Sequence, residues 1–132
     1  MAEYPFKITN QGLQYGQLMK FGIQTIPPRW FALDASNAAT ADIDTAPKSE
    51  IQRARTACTP VQDTTDGKFG VKVEGVITFT VQTTVGAVCL CYSPTLNSGA
   101  LYARGTLSGL TIFDPDDTLT VKYYEYAEQA IE

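Results

Sequence analysis

Apolar and polar positions alternate most regularly in the second half of the chain. From Phe69 to Val81, the residues Val71, Val73, Gly75, Ile77, Phe79 and Val81 share one parity and Lys72, Glu74, Thr78, Thr80 and Gln82 the other. That is the two-residue period of a strand with one buried face. Val76 interrupts the polar set beside Gly75, which predicts a bulge or bend there. Arg53 to Val61 reads as one extended segment, and Asp63-Thr64-Thr65-Asp66-Gly67-Lys68 supplies the turn that follows it. Further strands are expected at Ala87 to Tyr92, Ala100 to Phe113 and Thr118 to Tyr126, separated by turns at Pro94 to Gly99 and Asp114-Pro115-Asp116-Asp117. Both parities of the last strand carry apolar or aromatic residues, so it belongs inside a sandwich or against another subunit.

The first half has a different period. Thr9-Asn10 offers N-cap chemistry, and Gln11 to Lys20 places Leu13, Gln17 and Leu18 or Phe21 at helical spacing. Gly12 and Gly16 weaken that helix by about 1 kcal/mol each relative to Ala, so packing must hold it, and small residues four apart let another backbone approach. Pro27-Pro28 blocks any continuation, after which Arg29 to Leu33 reads as a short aromatic strand ended by Asp34-Ala35-Ser36-Asn37. Ala38 to Ser49 lacks apolar periodicity and is expected to be the most mobile internal loop, with one helical turn at Pro47 to Ile51. Together the elements predict a mainly β protein, an antiparallel β-sandwich with one short N-terminal helix packed on it, residues 1–132 forming one domain.

Composition supports a packed core: 132 residues, 44 % hydrophobic and 18 % charged. A net charge of −4 with no basic run opposes binding to a phosphate backbone, so no direct nucleic-acid partner is expected. Met1-Ala2-Glu3-Tyr4-Pro5 has neither the basic nor the apolar region of a secretory signal, and no eighteen apolar residues run together. Synthesis in a cytoplasm and no membrane partner follow as expectations.

Histidine is absent, which removes the commonest general base and most catalytic zinc sites. Cys58, Cys89 and Cys91 match no metal or redox spacing; buried thiols are the expected reading, and a disulfide between subunits the sharper one. Asp42 with Asp44, and Asp114 with Asp116 and Asp117, sit in turn contexts where Asp caps backbone N–H groups, with calcium binding as the alternative. Lys122-Tyr123-Tyr124-Glu125-Tyr126 interleaves aromatics with charge, a pattern that suits core or subunit packing and, less well, stacking on bases or sugars. No catalytic set and no cofactor are expected.

The order of motifs carries a resemblance. Thr9-Asn10-Gln11-Gly12-Leu13 opening a short helix, then Trp30-Phe31-Ala32-Leu33-Asp34-Ala35 entering a small-residue loop, resembles the N-terminal domain of tailed-bacteriophage tail-collar fibre and related tail-associated proteins. The likeness continues through Glu50-Ile51-Gln52-Arg53, Gly99 to Leu107 and Asp117 to Val121, and so covers most of the chain. It implies a non-enzymatic virion structural protein, assembled in the host bacterial cytoplasm and partnered by tail, collar, baseplate or capsid subunits. No fibre shaft follows Glu132, which points to a tail, collar or baseplate adaptor or fibre-attachment protein. Capsid decoration is the alternative and a host-glycan binding module the third reading. A homo-oligomer, trimer or hexamer, suits such a role. The expected contact residues are Trp30, Tyr102, Arg104, Tyr124 and Tyr126, because aromatics and arginine are enriched at interface hot spots. The tail from Ala127 to Glu132 is expected to dock on a neighbour.

Overall fold

Two antiparallel sheets face each other, and strand parity decides which side chains lie between them. The computed structural model describes residues 6–23, 27–64, 69–99 and 101–127. In chain order the elements are β1 (Phe6–Ile8), α1 (Asn10–Lys20), β2 (Trp30–Asp34), β3 (Thr56–Ala57), β4 (Thr59–Asp63), β5 (Phe69–Thr78), β6 (Thr83–Cys91), β7 (Leu101–Phe113) and β8 (Thr118–Ala127). The larger sheet has the order β1-β7-β6-β2-β3 and the smaller β4-β5-β8. The mainly β sandwich with one short helix is therefore the observed architecture.

The core forms where alternating residues of both sheets meet. Phe31 and Leu33 of β2 and Val88 and Leu90 of β6 pack with Val73 and Ile77 of β5 and with Val121 and Tyr123 of β8. Full burial of such a side chain is worth about 1.5–3 kcal/mol, so this layer holds the sheets together. Gly75 lies within it without a bulge: β5 pairs with β8 in unbroken register, Gly75 opposite Val121. The glycine is there for packing, because a β-carbon would stand 3.0 Å from the Phe31 ring. Two irregularities fall instead in the β6–β7 pairing, one between Leu90 and Cys91 and a larger one at Gly86, where residues 107–110 of β7 bulge out between the β6 pairings of Val85 and Ala87. A β-carbon on Gly86 would come within 2.5 Å of the Ser36 and Asn37 backbone, so this glycine lets a loop cross the sheet.

The expected extended segment from Arg53 to Val61 is divided. β3 pairs with β2 in the larger sheet, β4 pairs with β5 in the smaller, and Cys58 turns the corner between them. Arg53 to Arg55 lies outside both strands because Arg55 turns inward to an ion pair. β5 also ends earlier than its parity suggested, at Thr78: Phe79 stays in the core, but Val81 is exposed. Instead of a helical turn near Pro47, Glu50 forms an isolated bridge with Asp34. Of the turn predicted from Asp63 to Lys68, residues 65–68 lie outside the described residues, as does the tail beyond 127.

The helix begins where its cap chemistry places it. Thr9 Oγ1 accepts from the Gly12 N–H at 3.1 Å, and the end is closed by bonds from Gly22 N–H to Met19 O and from Ile23 N–H to Leu18 O, with Gly22 at φ +74°. Its docking face differs from the expected stripe. Gly12 lies so close to β7 that a β-carbon would be 2.2 Å from the Tyr102 carbonyl oxygen, while Tyr15 and Met19 pack on the core. That contact rotates Leu13 and Phe21 outward, to 56 % and 75 % exposure. Gly16 meets nothing within 4 Å.

Candidate functional site

Charge inside this fold occurs in two settings. On the outer face of the larger sheet, Ala32, Cys89, Cys91 and Leu101 form a second buried cluster with Trp30 against it. The chain between Asp34 and Glu50 crosses near this face and is tied down by side chains of the sheet. Arg104 of β7 donates from Nε to Asp34 Oδ2 at 3.0 Å, from Nη2 to Ser36 O at 2.7 Å and from Nη1 to Ala38 O at 2.5 Å. Asp34 in turn accepts the backbone N–H groups of Ser36, Lys48 and Ser49. Both side chains are fully buried, a state that desolvation makes tolerable only when every lone pair and proton is matched.

A second pair repeats the device. Arg55 grips Glu50 through two bonds of 2.8 Å, and its Nη1 also donates to Ser93 O at 2.8 Å, while Asn97 N–H donates to Glu50 Oε1. The loops 35–50 and 93–99 are thereby fixed to the strands beneath them. The loop expected to be the most mobile thus has an anchored path.

The three cysteines lie buried and free. Burial pushes the Cys58 and Cys91 thiols up to about 12 and the Cys89 thiol well above its ordinary value, so all three are neutral and poor nucleophiles. Two of the five aspartates do turn work: Asp44 Oδ2 accepts from Ala41 N–H, and Asp117 Oδ2 accepts from Asp114 N–H at 2.7 Å, whereas Asp42 pairs with Lys7 and Asp114 Oδ1 accepts from Gln82 Nε2. Among the described residues no three His, Cys, Asp or Glu side chains gather as metal ligands, and no helix is long and apolar enough to cross a membrane.

The other setting is a groove of about 270 Å³ at one end of the sandwich. The row Gln62–Val71–Glu125 is the next inward-facing row after Pro60–Val73–Tyr123, and there the inner face of the smaller sheet becomes accessible. Gly16 and Met19 of α1 with Pro27 and Pro28 form one wall, and Pro60, Val71 and Val73 another. The floor holds the polar groups. Tyr102 of the larger sheet and Tyr123 of the smaller both donate their phenolic O–H to the same oxygen, Glu125 Oε1, the Tyr123 bond being 2.5 Å. The two rings meet edge to face at 6.0 Å, and Tyr92 continues the aromatic series against Tyr102 at 5.7 Å. Burial, and then the bond to Glu125, push both phenols up, so they stay protonated donors. An apolar cleft with convergent polar groups is the usual form of a binding site.

Of the five expected contact residues, the fold brings only some to the surface. Tyr124 is 47 % exposed and Trp30 is half-buried. Tyr102 and Arg104 are buried, Tyr102 in the core and groove and Arg104 in its ion pair, so both contact groups of this chain. Tyr126 lies on β8, its side chain outside the described set. Glu125 and Asp34 were missed, although each had a signal. Glu125 has the inward parity of Leu119, Val121 and Tyr123, and Asp34 ends an apolar strand, positions where a charge requires a partner. No family model matches the chain, nor does any curated protein or solved structure.

Proposed function

We propose that this chain is a non-enzymatic structural protein of a tailed-bacteriophage particle, an adaptor at the tail, collar or baseplate that joins other virion subunits. The motif order read from the sequence supplies the phage context. The observation that best supports assembly is the set of large apolar side chains left uncovered along the outer side of the helix. Leu13 and Phe21 face outward, Ile23 follows in the closing turn, and Ile43 stands 80 % exposed beside Asp42, whose carbonyl accepts from the first helical N–H. Apolar surface of this kind on a fold with anchored loops suits a protein partner. The low surface share of Trp30 and Tyr102 argues against sugar stacking.

The test is gold-labelled antibody against the chain on intact particles of the encoding phage. Label confined to one tail end is the expected result. Label over the whole shell would replace the adaptor reading with capsid decoration, and absence from purified particles would overturn both. Phe21→Asp and Leu13→Asp, placed on an exposed helix face, should leave folding intact and lower incorporation into particles.

A further inference from the structure

We infer that the groove beside β8 receives a lysine side chain from an extended segment of a partner chain, its aliphatic stem against Val71 and Val73 and its ammonium at Glu125. The chemistry of the floor selects the cation. Tyr102 and Tyr123 each have one proton to give, and both give it to Glu125 Oε1. What this cluster then offers a ligand is acceptor capacity alone, on the two phenolic oxygens and the carboxylate. A carboxylate, phosphate or carbonyl head group has nothing to bond there; a donor does, and a positively charged donor gains from the carboxylate as well.

The same geometry chooses between basic side chains. Arginine gains most when both carboxylate oxygens are free for its planar fork, as Glu50 is for Arg55. At Glu125 one oxygen already takes two phenols, which leaves a lopsided acceptor set suited to a compact ammonium. The stem finds apolar walls, since Met19, Val71 and Val73 line the same cleft.

The source follows from the position of the cleft. The inner face of the smaller sheet is accessible at the row Gln62–Val71–Glu125, with Val71 41 % exposed and Glu125 exposed. An extended segment laid across that row sends a side chain inward past Val71 to Glu125, and the negative charge there favours a basic one. This assignment holds whichever particle the protein joins, so a failure of the virion reading leaves it standing and its own failure leaves that reading standing.

The experiment follows backbone amide shifts by NMR on the full chain, titrated with acetyl-Leu-Lys-Leu-amide, its norleucine and glutamate counterparts, and n-butylammonium. The lysine peptide should shift the amides of Val71, Val73, Tyr123 and Glu125 saturably and bind at least about tenfold tighter than the norleucine peptide, a difference of about 1.4 kcal/mol. Glu125→Gln, which keeps an oxygen for the phenols, should lower lysine binding to the norleucine level. Should that variant unfold, raising salt on the native chain should weaken the lysine peptide and leave the norleucine peptide unchanged. Equal binding of the norleucine or glutamate peptide, unchanged binding by Glu125→Gln, salt-insensitive lysine binding, or no saturable shift at millimolar peptide would overturn the assignment. Butylammonium binding as tightly as the peptide would overturn the partner-chain source.

Discussion

On the outer face of the larger sheet four charged side chains form two complete pairs, whereas at the open end of the sandwich one carboxylate meets two neutral phenols. The first arrangement neutralises charge and saturates its hydrogen bonds with loop backbone, as the Arg104 contacts to Ser36 and Ala38 illustrate. The second leaves a net negative charge beside apolar walls. The difference separates a carboxylate whose work is internal from one left with spare acceptor capacity at an accessible groove. Asp34 fastens a loop, and Glu125 remains exposed at a groove.

The comparison breaks most decisively at Arg104. Arg104→Met leaves Asp34 buried without its partner and should cost about 3–5 kcal/mol, read as a lower urea midpoint. Adding Asp34→Leu should recover part of this, but not all, because Asp34 also holds three backbone N–H groups. Glu125→Gln should cost far less. Equal costs at the two sites would erase the distinction between them.

Alkaline pH acts next. Cys89 and Cys91, on the loop-covered face, are held above their unfolded values by burial, as are the phenols of Tyr102 and Tyr123. For groups raised in the folded state, the unfolded chain loses its protons first, so stability is complete below about pH 8.5 and falls as pH rises toward 12. Each fully buried thiol lowers stability by up to about 1.4 kcal/mol per pH unit in that window. Melting temperatures followed by circular dichroism from pH 7 to pH 11 in reductant should decline above that threshold; a flat profile would mean the thiols are more hydrated than their burial implies.

The helix, which walls the groove, gives the smallest and most symmetric contrast. Gly12→Ala inserts a β-carbon against the Tyr102 carbonyl and should destabilise by about 1–3 kcal/mol, with faster hydrogen exchange in the helix. Gly16→Ala enters open space and should stabilise by about 0.5–1 kcal/mol, raising the melting temperature. Two shifts of the same sign would displace the helix from its position over β7.

Much of this fold was legible because parity along a strand is local information. The alternation through Val73 and Ile77, the Thr9 cap and the turn before Thr118 each depend on residues within a few positions. What escaped depends on pairing between distant positions. Arg104 and Asp34 are seventy residues apart, and only their burial side by side turns a suspected contact arginine into an internal one. Glycine was legible as a signal but not as a cause: Gly75 reads as a bend, yet the Phe31 ring is what it accommodates. Leu13 and Phe21 fall on the solvent face because Gly12, not the apolar stripe, sets the rotation of the helix.

The passage of the chain through Cys58, from one sheet directly into the other, has a mechanical meaning. At that edge the spacing between the layers is set by a single residue and has no slack. On the β8 side the chain again joins the sheets, through the turn from Asp114 to Asp117 between β7 and β8, but near Glu125 the spacing rests on side-chain contacts, the Phe6 ring against Tyr123 and the bonds that join Tyr102 and Tyr123 through Glu125. The sandwich is therefore tied by its own chain at Cys58 and at the 114–117 turn, and by side chains at Glu125, so an occupant of the groove would press on the side-chain tie.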